Sequence, residues 1–154
     1  SVGGAPLPAS AAMTIDFTFT AGADSAGPGP ARNPYLAVWI EDTNEELVST
    51  VSLWHMQQNE RWLGELKRWY TVSGGYETNT GATRVAGSYT VRWDGKGREG
   101  TKVRAGTYFV CIEGAREHGP YELIREPMTL GTDPVERAMK PNGELTAASA
   151  KYTV

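Results

Sequence analysis

The chain has 154 residues, 40% of them apolar, 10% aromatic and 21% charged. That length suits one domain, because a chain of roughly 150 residues buries about two-thirds of its unfolded surface. Fifteen Lys and Arg against 18 Asp and Glu leave a net charge of −3, spread without blocks, which argues against a nucleic-acid surface or a basic membrane patch. No stretch approaches the ~18 consecutive apolar residues of a membrane-spanning helix, so an integral membrane protein of that kind is excluded.

The 18 Gly and nine Pro disfavour a helical bundle. The lone Cys111 excludes an internal disulfide and any multi-cysteine metal site, and with only His55 and His118 a zinc cage of nitrogen and sulfur is hard to assemble. The opening SVGGAPLPASA is the kind of small-residue end that a cleaved export signal leaves, and that a trimmed chain has too. Residues 1–12 are expected as a flexible mature end within a single domain spanning 1–154.

Taken along the chain, the first strand runs from Met13 to Thr20, with Ile15, Phe17 and Phe19 on one face and Thr14, Asp16 and Thr18 on the other. The Gly/Pro/Ala stretch AGADSAGPGPARNP then forms a loop. Tyr35 to Glu41 is a second strand, Leu36, Val38 and Ile40 opposing Tyr35, Ala37 and Trp39. A turn over Glu41 to Asn44 leads to a third strand, Leu47 to Met56.

The period changes in Arg61 to Tyr70, where Trp62, Leu66 and Trp69 recur at helical spacing and predict one short Trp-rich helix. Residues 71–88 are polar, glycine-rich and aperiodic. Such long loops are uncommon in compact domains and often functional. Tyr89, Val91 and Trp93 alternate before the turn Asp94 to Gly97, and Tyr108, Val110 and Ile112 alternate after Gly106, with Phe109 and Cys111 opposite. Tyr121 to Leu130 and Leu145 to Val154 complete about seven short strands, the pattern of an antiparallel β-sandwich. Cys111, mid-strand beside Phe109, reads as a packed, inert thiol.

The stretch Gly87 to Glu113, with its Trp-Asp-Gly strand end, glycine-rich hairpin and Gly-Thr-Tyr strand start, resembles the Ig-like repeat of flagellar hook-capping proteins. It implies an Ig-like sandwich and says little of function, since sandwiches host many activities.

Glu77-Thr78-Asn79-Thr80-Gly81-Ala82-Thr83 resembles the acceptor motif of proteins flavinylated by an FAD:protein FMN transferase. There an acidic residue precedes Ser/Thr-Gly-Ala-Ser/Thr and the last hydroxyl becomes phosphoester-linked to FMN. The resemblance implies Thr83 as the flavin-bearing residue, within Thr80, Gly81 and Ala82. Glu77 stands at the acidic position, where that family more often has Asp. The chemistry suits these residue types: a hydroxyl attacking phosphorus must be unhindered, and Gly81 and Ala82 keep the chain thin enough to enter another enzyme. The four-residue string alone recurs by chance in roughly one chain per hundred of this length, and an ordinary turn is the bland alternative.

The whole chain is similar to a bacterial periplasmic family of unknown function through AVWIED (Ala37 to Asp42), an RW-x₃-L-K-RWY segment (Arg61 to Tyr70), TGATR (Thr80 to Arg84), WDG (Trp93 to Gly95) and AREHG (Ala115 to Gly119). That likeness implies an exported flavoprotein with covalent FMN, a redox carrier more than a stand-alone enzyme. It would be matured by the transferase and partnered by a membrane-bound electron-transfer protein. Flat partners for the isoalloxazine are at hand in Trp54, Trp62, Trp69, Tyr70 and Tyr76; for any single tryptophan, glue between helix and sandwich is the better reading, with at least one of them expected at the flavin. Arg84, beside Thr83, is the first candidate to neutralise the FMN phosphate, with Arg61 and Arg68 behind it. His118 makes loop hydrogen bonds or reaches the flavin edge. Two alternatives stay open: a cofactor-free Ig-like interaction module, and a copper protein using His55, Met56, His118, Met13 or Met128, which the opposite facing of adjacent strand residues disfavours.

Overall fold

The computed structural model describes residues 5–19, 35–55, 80–82, 87–97, 100–115, 121–143 and 145–154. Nine strands lie within them: β1 (Ala12–Phe19), β2 (Tyr35–Glu41), β3 (Leu47–His55), β4 (Thr80–Ala82), β5 (Gly87–Trp93), β6 (Gly106–Ala115), β7 (Tyr121–Leu130), β8 (Val135–Met139) and β9 (Leu145–Thr153). They form a four-stranded sheet in the order β5-β1-β9-β8 and a five-stranded sheet in the order β4-β3-β2-β6-β7. All pairings are antiparallel except β3 with β4. The expected all-β antiparallel sandwich is the observed architecture. The predicted helix, Arg61 to Tyr70, lies outside the described residues, and among those described there is no helix.

Alternation builds the core. Ile15 and Phe17 of β1 face Leu36, Val38 and Ile40 of β2 and Val110 and Ile112 of β6, all at most 2% exposed. Ile15 is in register with Val91 on one side and Ala150 on the other, so apolar residues stack across three strands of the first sheet. Trp93, Tyr152, Ile124 and Met128 close the ends of the same cluster. At one open side the sheets are tied by Arg137 of β8 to Glu126 of β7, 3.4 Å apart.

Two turns owe their shape to short polar side chains. Between β2 and β3, Asp42 Oδ1 accepts from the amides of Asn44 (2.8 Å) and Glu46 (3.0 Å), while Glu45 takes a left-handed φ of 63°. The turn therefore spans Asp42 to Glu46, starting one residue and ending two residues beyond its predicted place. After β5, Gly95 has φ of 79° and starts a small hairpin in which Gly97 N donates to Thr101 O and Val103 N to Gly95 O. Trp93 Nε1 caps it at Lys96 O, 2.9 Å away.

That hairpin also anchors the first residues. Leu7 N donates to Val103 O, Leu7 is 3% exposed, and Lys102 Nζ donates to Ala11 O at 2.8 Å and to Asp94 O. Residues 5–12, read from sequence as a flexible end, thus dock on the sandwich, with Leu7 supplying the apolar contact and Ala12 opening β1. Two strands went unpredicted. β4 falls inside the segment read as a loop over 71–88, which Gly87 and Ser88 of β5 also shorten. β8 carries only Val135 and Met139 toward the core.

Candidate functional site

The motif segment is a strand at the edge of the five-stranded sheet. Thr80, Gly81 and Ala82 run parallel to β3 in register with Leu53, Trp54 and His55. A parallel pairing requires a crossover of a dozen or more residues, and residues 56–79 provide that length. Gly81 and Ala82 suit an edge strand that contributes backbone more than side chains. The register brings Trp54 and His55 next to the motif backbone, closer than their separation in sequence suggests. Thr83 follows β4 directly but lies outside the described residues, as do Glu77, Arg84, Trp62, Trp69, Tyr70, Tyr76 and His118, together with Arg61, Arg68 and Met56.

The face of this sheet turned away from the sandwich core is itself buried. Ala37, Trp39, Leu53 and Cys111 are 0% exposed and form a second cluster, with Leu47, Phe109 and Leu123 packed against it. Within it lies a carboxylate, Glu41, also 0% exposed. Glu41 Oε2 accepts from Trp39 Nε1 at 2.8 Å and from Cys111 Sγ at 3.5 Å, and Oε1 accepts from Arg125 Nε at 3.2 Å. The Arg125 guanidinium lies over the Phe109 ring, 3.7 Å from its centre. A buried charge needs such partners, since an unpaired one would cost several kcal/mol. Glu113, in register with Ala37 and Leu123, is a second fully buried carboxylate on this face. Cys111 is a buried thiol in no disulfide, packed as its strand position predicted.

Sequence reasoning did not single out Glu41, Glu113 or Arg125. The available signal was β2 itself, whose run Tyr35 to Ile40 is apolar on both faces and so marks a strand buried on both sides. A glutamate two residues beyond Trp39 on such a strand must share its buried face.

Elsewhere two phenols are perturbed. Burial pushes the Tyr108 hydroxyl above its ordinary value, with the Asp42 charge adding to the shift, and burial alone does so for Tyr152. Each donates to a backbone carbonyl at 2.6 Å, Tyr108 to Arg104 and Tyr152 to Gly131. On the outer face of the four-stranded sheet a cavity of about 390 Å³ is lined by Asp16, Thr18, Ser88, Thr90 and Ser149 among others. Among the described residues no three His, Cys, Asp or Glu gather as a metal site, and no helix is long and apolar enough to cross a membrane.

The fold and these features define a β-sandwich with one doubly buried sheet and a short parallel edge strand. Over residues 17–147 the chain matches the family described as "Predicted periplasmic protein (DUF2271)". The chain belongs to that family, and its compartment is the periplasm. No curated protein and no solved structure matches it.

Proposed function

We propose that this protein is an electron-transfer flavoprotein of the periplasm, carrying FMN covalently through a phosphoester on Thr83. The observation that carries the reading is the position of the motif: Thr80–Ala82 is the shortest strand among those described, at a sheet edge, with β3 as its one partner in the sheet. An acceptor must leave its own fold far enough to enter the transferase, and a three-residue edge strand separates at low cost. The residues fit the group in kind. A threonine hydroxyl follows two small residues, and β3 brings an indole-bearing residue, Trp54, into register with Gly81.

In the attachment step the Thr83 hydroxyl oxygen attacks the FMN-side phosphorus of FAD. The new bond is Thr83 O–P, the bond broken is that phosphorus to the pyrophosphate bridge oxygen, and AMP leaves with the hydroxyl proton as the net balance. The transferase supplies FAD and a metal ion to polarise the phosphate. Glu77 steadies the segment as it enters, and Arg84 offsets the remaining phosphate charge. Once attached, FMN supplies one- and two-electron chemistry, which the chain's part is to hold and tune. A membrane-bound electron-transfer protein is the partner this role calls for.

Co-expression with an active FMN transferase, followed by intact mass and peptide mapping, tests the reading. A gain of one FMN less one water is expected on the peptide containing Thr83, absent in Thr83→Ala, which keeps the fold. An unmodified wild-type mass, with the transferase active on a control substrate, would leave the motif as an edge strand of structural use alone and an interaction module as the better account.

A further inference from the structure

The strongest unassigned feature is the guanidinium of Arg125, at the opposite edge of the five-stranded sheet from β4. Its orientation is set on two sides: Nε donates to Glu41, and the Phe109 ring lies beneath it at 3.7 Å. Glu41 is in turn held by Trp39 and Cys111, so the arginine rests on a buried, hydrogen-bonded support and not on a mobile surface carboxylate. The side chain is only 24% exposed. Yet among the described residues the two terminal nitrogens have no hydrogen-bond partner. Arginine presents its donors as a rigid fork, and when Nε is engaged by one carboxylate the terminal pair can still grip a second oxyanion. Donors so largely removed from water, and already aimed, call for a partner.

The surroundings narrow the kind of partner. Along β7 the neighbours on the same face are Leu123 and Pro127, and Phe109 lies across on β6 in register with Pro127. These are apolar, half-buried or exposed, and form a rim beside the fork. Glu41 already takes up part of the guanidinium's charge through Nε. A doubly charged phosphate is therefore disfavoured relative to a singly charged carboxylate, and an apolar body attached to that carboxylate gains contact with the rim.

We propose that Arg125, with Phe109, Leu123 and Pro127, forms a binding site for a carboxylate borne on an apolar body. It stands independently of whether Thr83 carries a flavin. The test uses the full chain and three probes: benzoate, acetate and inorganic phosphate. Trp39 is the reporter, because its indole N–H bonds the same carboxylate that orients Arg125, and Trp39→Phe assigns its resonance among the five tryptophans. Benzoate should shift that resonance saturably, acetate should do so more weakly, and phosphate should bind no better than acetate. Arg125→Lys keeps the charge but loses the fork, so benzoate binding should weaken by about tenfold or more, and Arg125→Gln should abolish it. Absence of a saturable benzoate shift, unchanged binding in Arg125→Lys, or phosphate binding tighter than benzoate would each overturn the site. If Arg125→Gln does not fold, the lysine variant and the order of the three probes still decide.

Discussion

The two sheets share one core and differ in what their other faces do. On the four-stranded sheet the outer face carries Thr14, Asp16 and Thr18 of β1 beside Ser88 and Thr90 of β5 and Ala147 and Ser149 of β9, small and mostly polar residues, half-buried or exposed, around a shallow cavity. Its hydrogen bonds are cross-strand hydroxyl contacts, Thr18 with Ser88 at 2.8 Å and Thr90 to Asp16. On the five-stranded sheet the corresponding face holds Trp39, Leu53 and Cys111 at 0% exposure around a carboxylate as buried as they are. Identical pleating thus gives a solvated surface in one sheet and a second apolar layer in the other. The difference resides in the alternate positions alone: Thr-Asp-Thr in β1, Ala-Trp-Glu in β2.

The comparison is most directly broken at the two carboxylates. Glu41→Ala strands the buried Trp39 indole N–H and leaves the part-buried Arg125 guanidinium without its carboxylate, so a loss of about 1–3 kcal/mol is expected, the range for a buried polar group left unsatisfied. Urea denaturation followed by tryptophan fluorescence measures it. A loss below about 1 kcal/mol, the size of an exposed ion pair, would mean that this face is solvated like its counterpart.

A second effect, smaller and confined to high pH, sharpens the contrast between the two inner faces. Tyr108 of β6 and Tyr152 of β9 each hold a phenol whose neutral form the fold favours. The unfolded phenol titrates near 10.0, and both folded values lie above it. The stabilisation is therefore complete below that pH and is lost as pH rises through the folded values, since the unfolded chain ionises first. A melting temperature that stays level as pH 10 is approached from below and falls beyond it is expected. Asp42→Asn should lower the Tyr108 titration toward the ordinary value and leave Tyr152 unmoved, because burial alone shifts the latter. Equal movement of both would remove the assignment of Asp42.

Much of this architecture was legible in the residues, for a physical reason. Strands whose alternate residues are apolar announce themselves, and β1, β2, β3, β5, β6, β7 and β9 all do, to within a residue or two at their ends. β8 was missed because Glu136, Arg137 and Ala138 interrupt the pattern, its pairing to β9 being made by backbone. β4 was missed because Thr-Gly-Ala has no periodicity, and only a long-range parallel pairing makes it a strand. Glu41 looked like the start of a turn, since nothing local says that the face it shares with Trp39 is buried. The motif read for flavin attachment was visible as residue types in order, while its place beside Trp54 and His55 depends on a crossover that sequence does not specify. Most of the candidate flavin residues, Thr83 first among them, lie outside the described residues.

The smallest effect belongs to the solvated sheet and is the control that gives the largest one its meaning. Asp16 is the exposed carboxylate at the centre of that face, in register with Thr90 and Ser149, and its partner is the Thr90 hydroxyl. In Asp16→Ala water replaces the carboxylate as the partner of Thr90, no buried donor is stranded, and the backbone pairing of β1 with β5 and β9 is untouched. The change should stay within about 0.5 kcal/mol in the same urea assay. A loss of 2 kcal/mol or more, the scale of an unsatisfied buried group, would mean that the hydroxyls around Asp16 act as a closed network. The difference between the outer faces would then be one of polarity and not of burial.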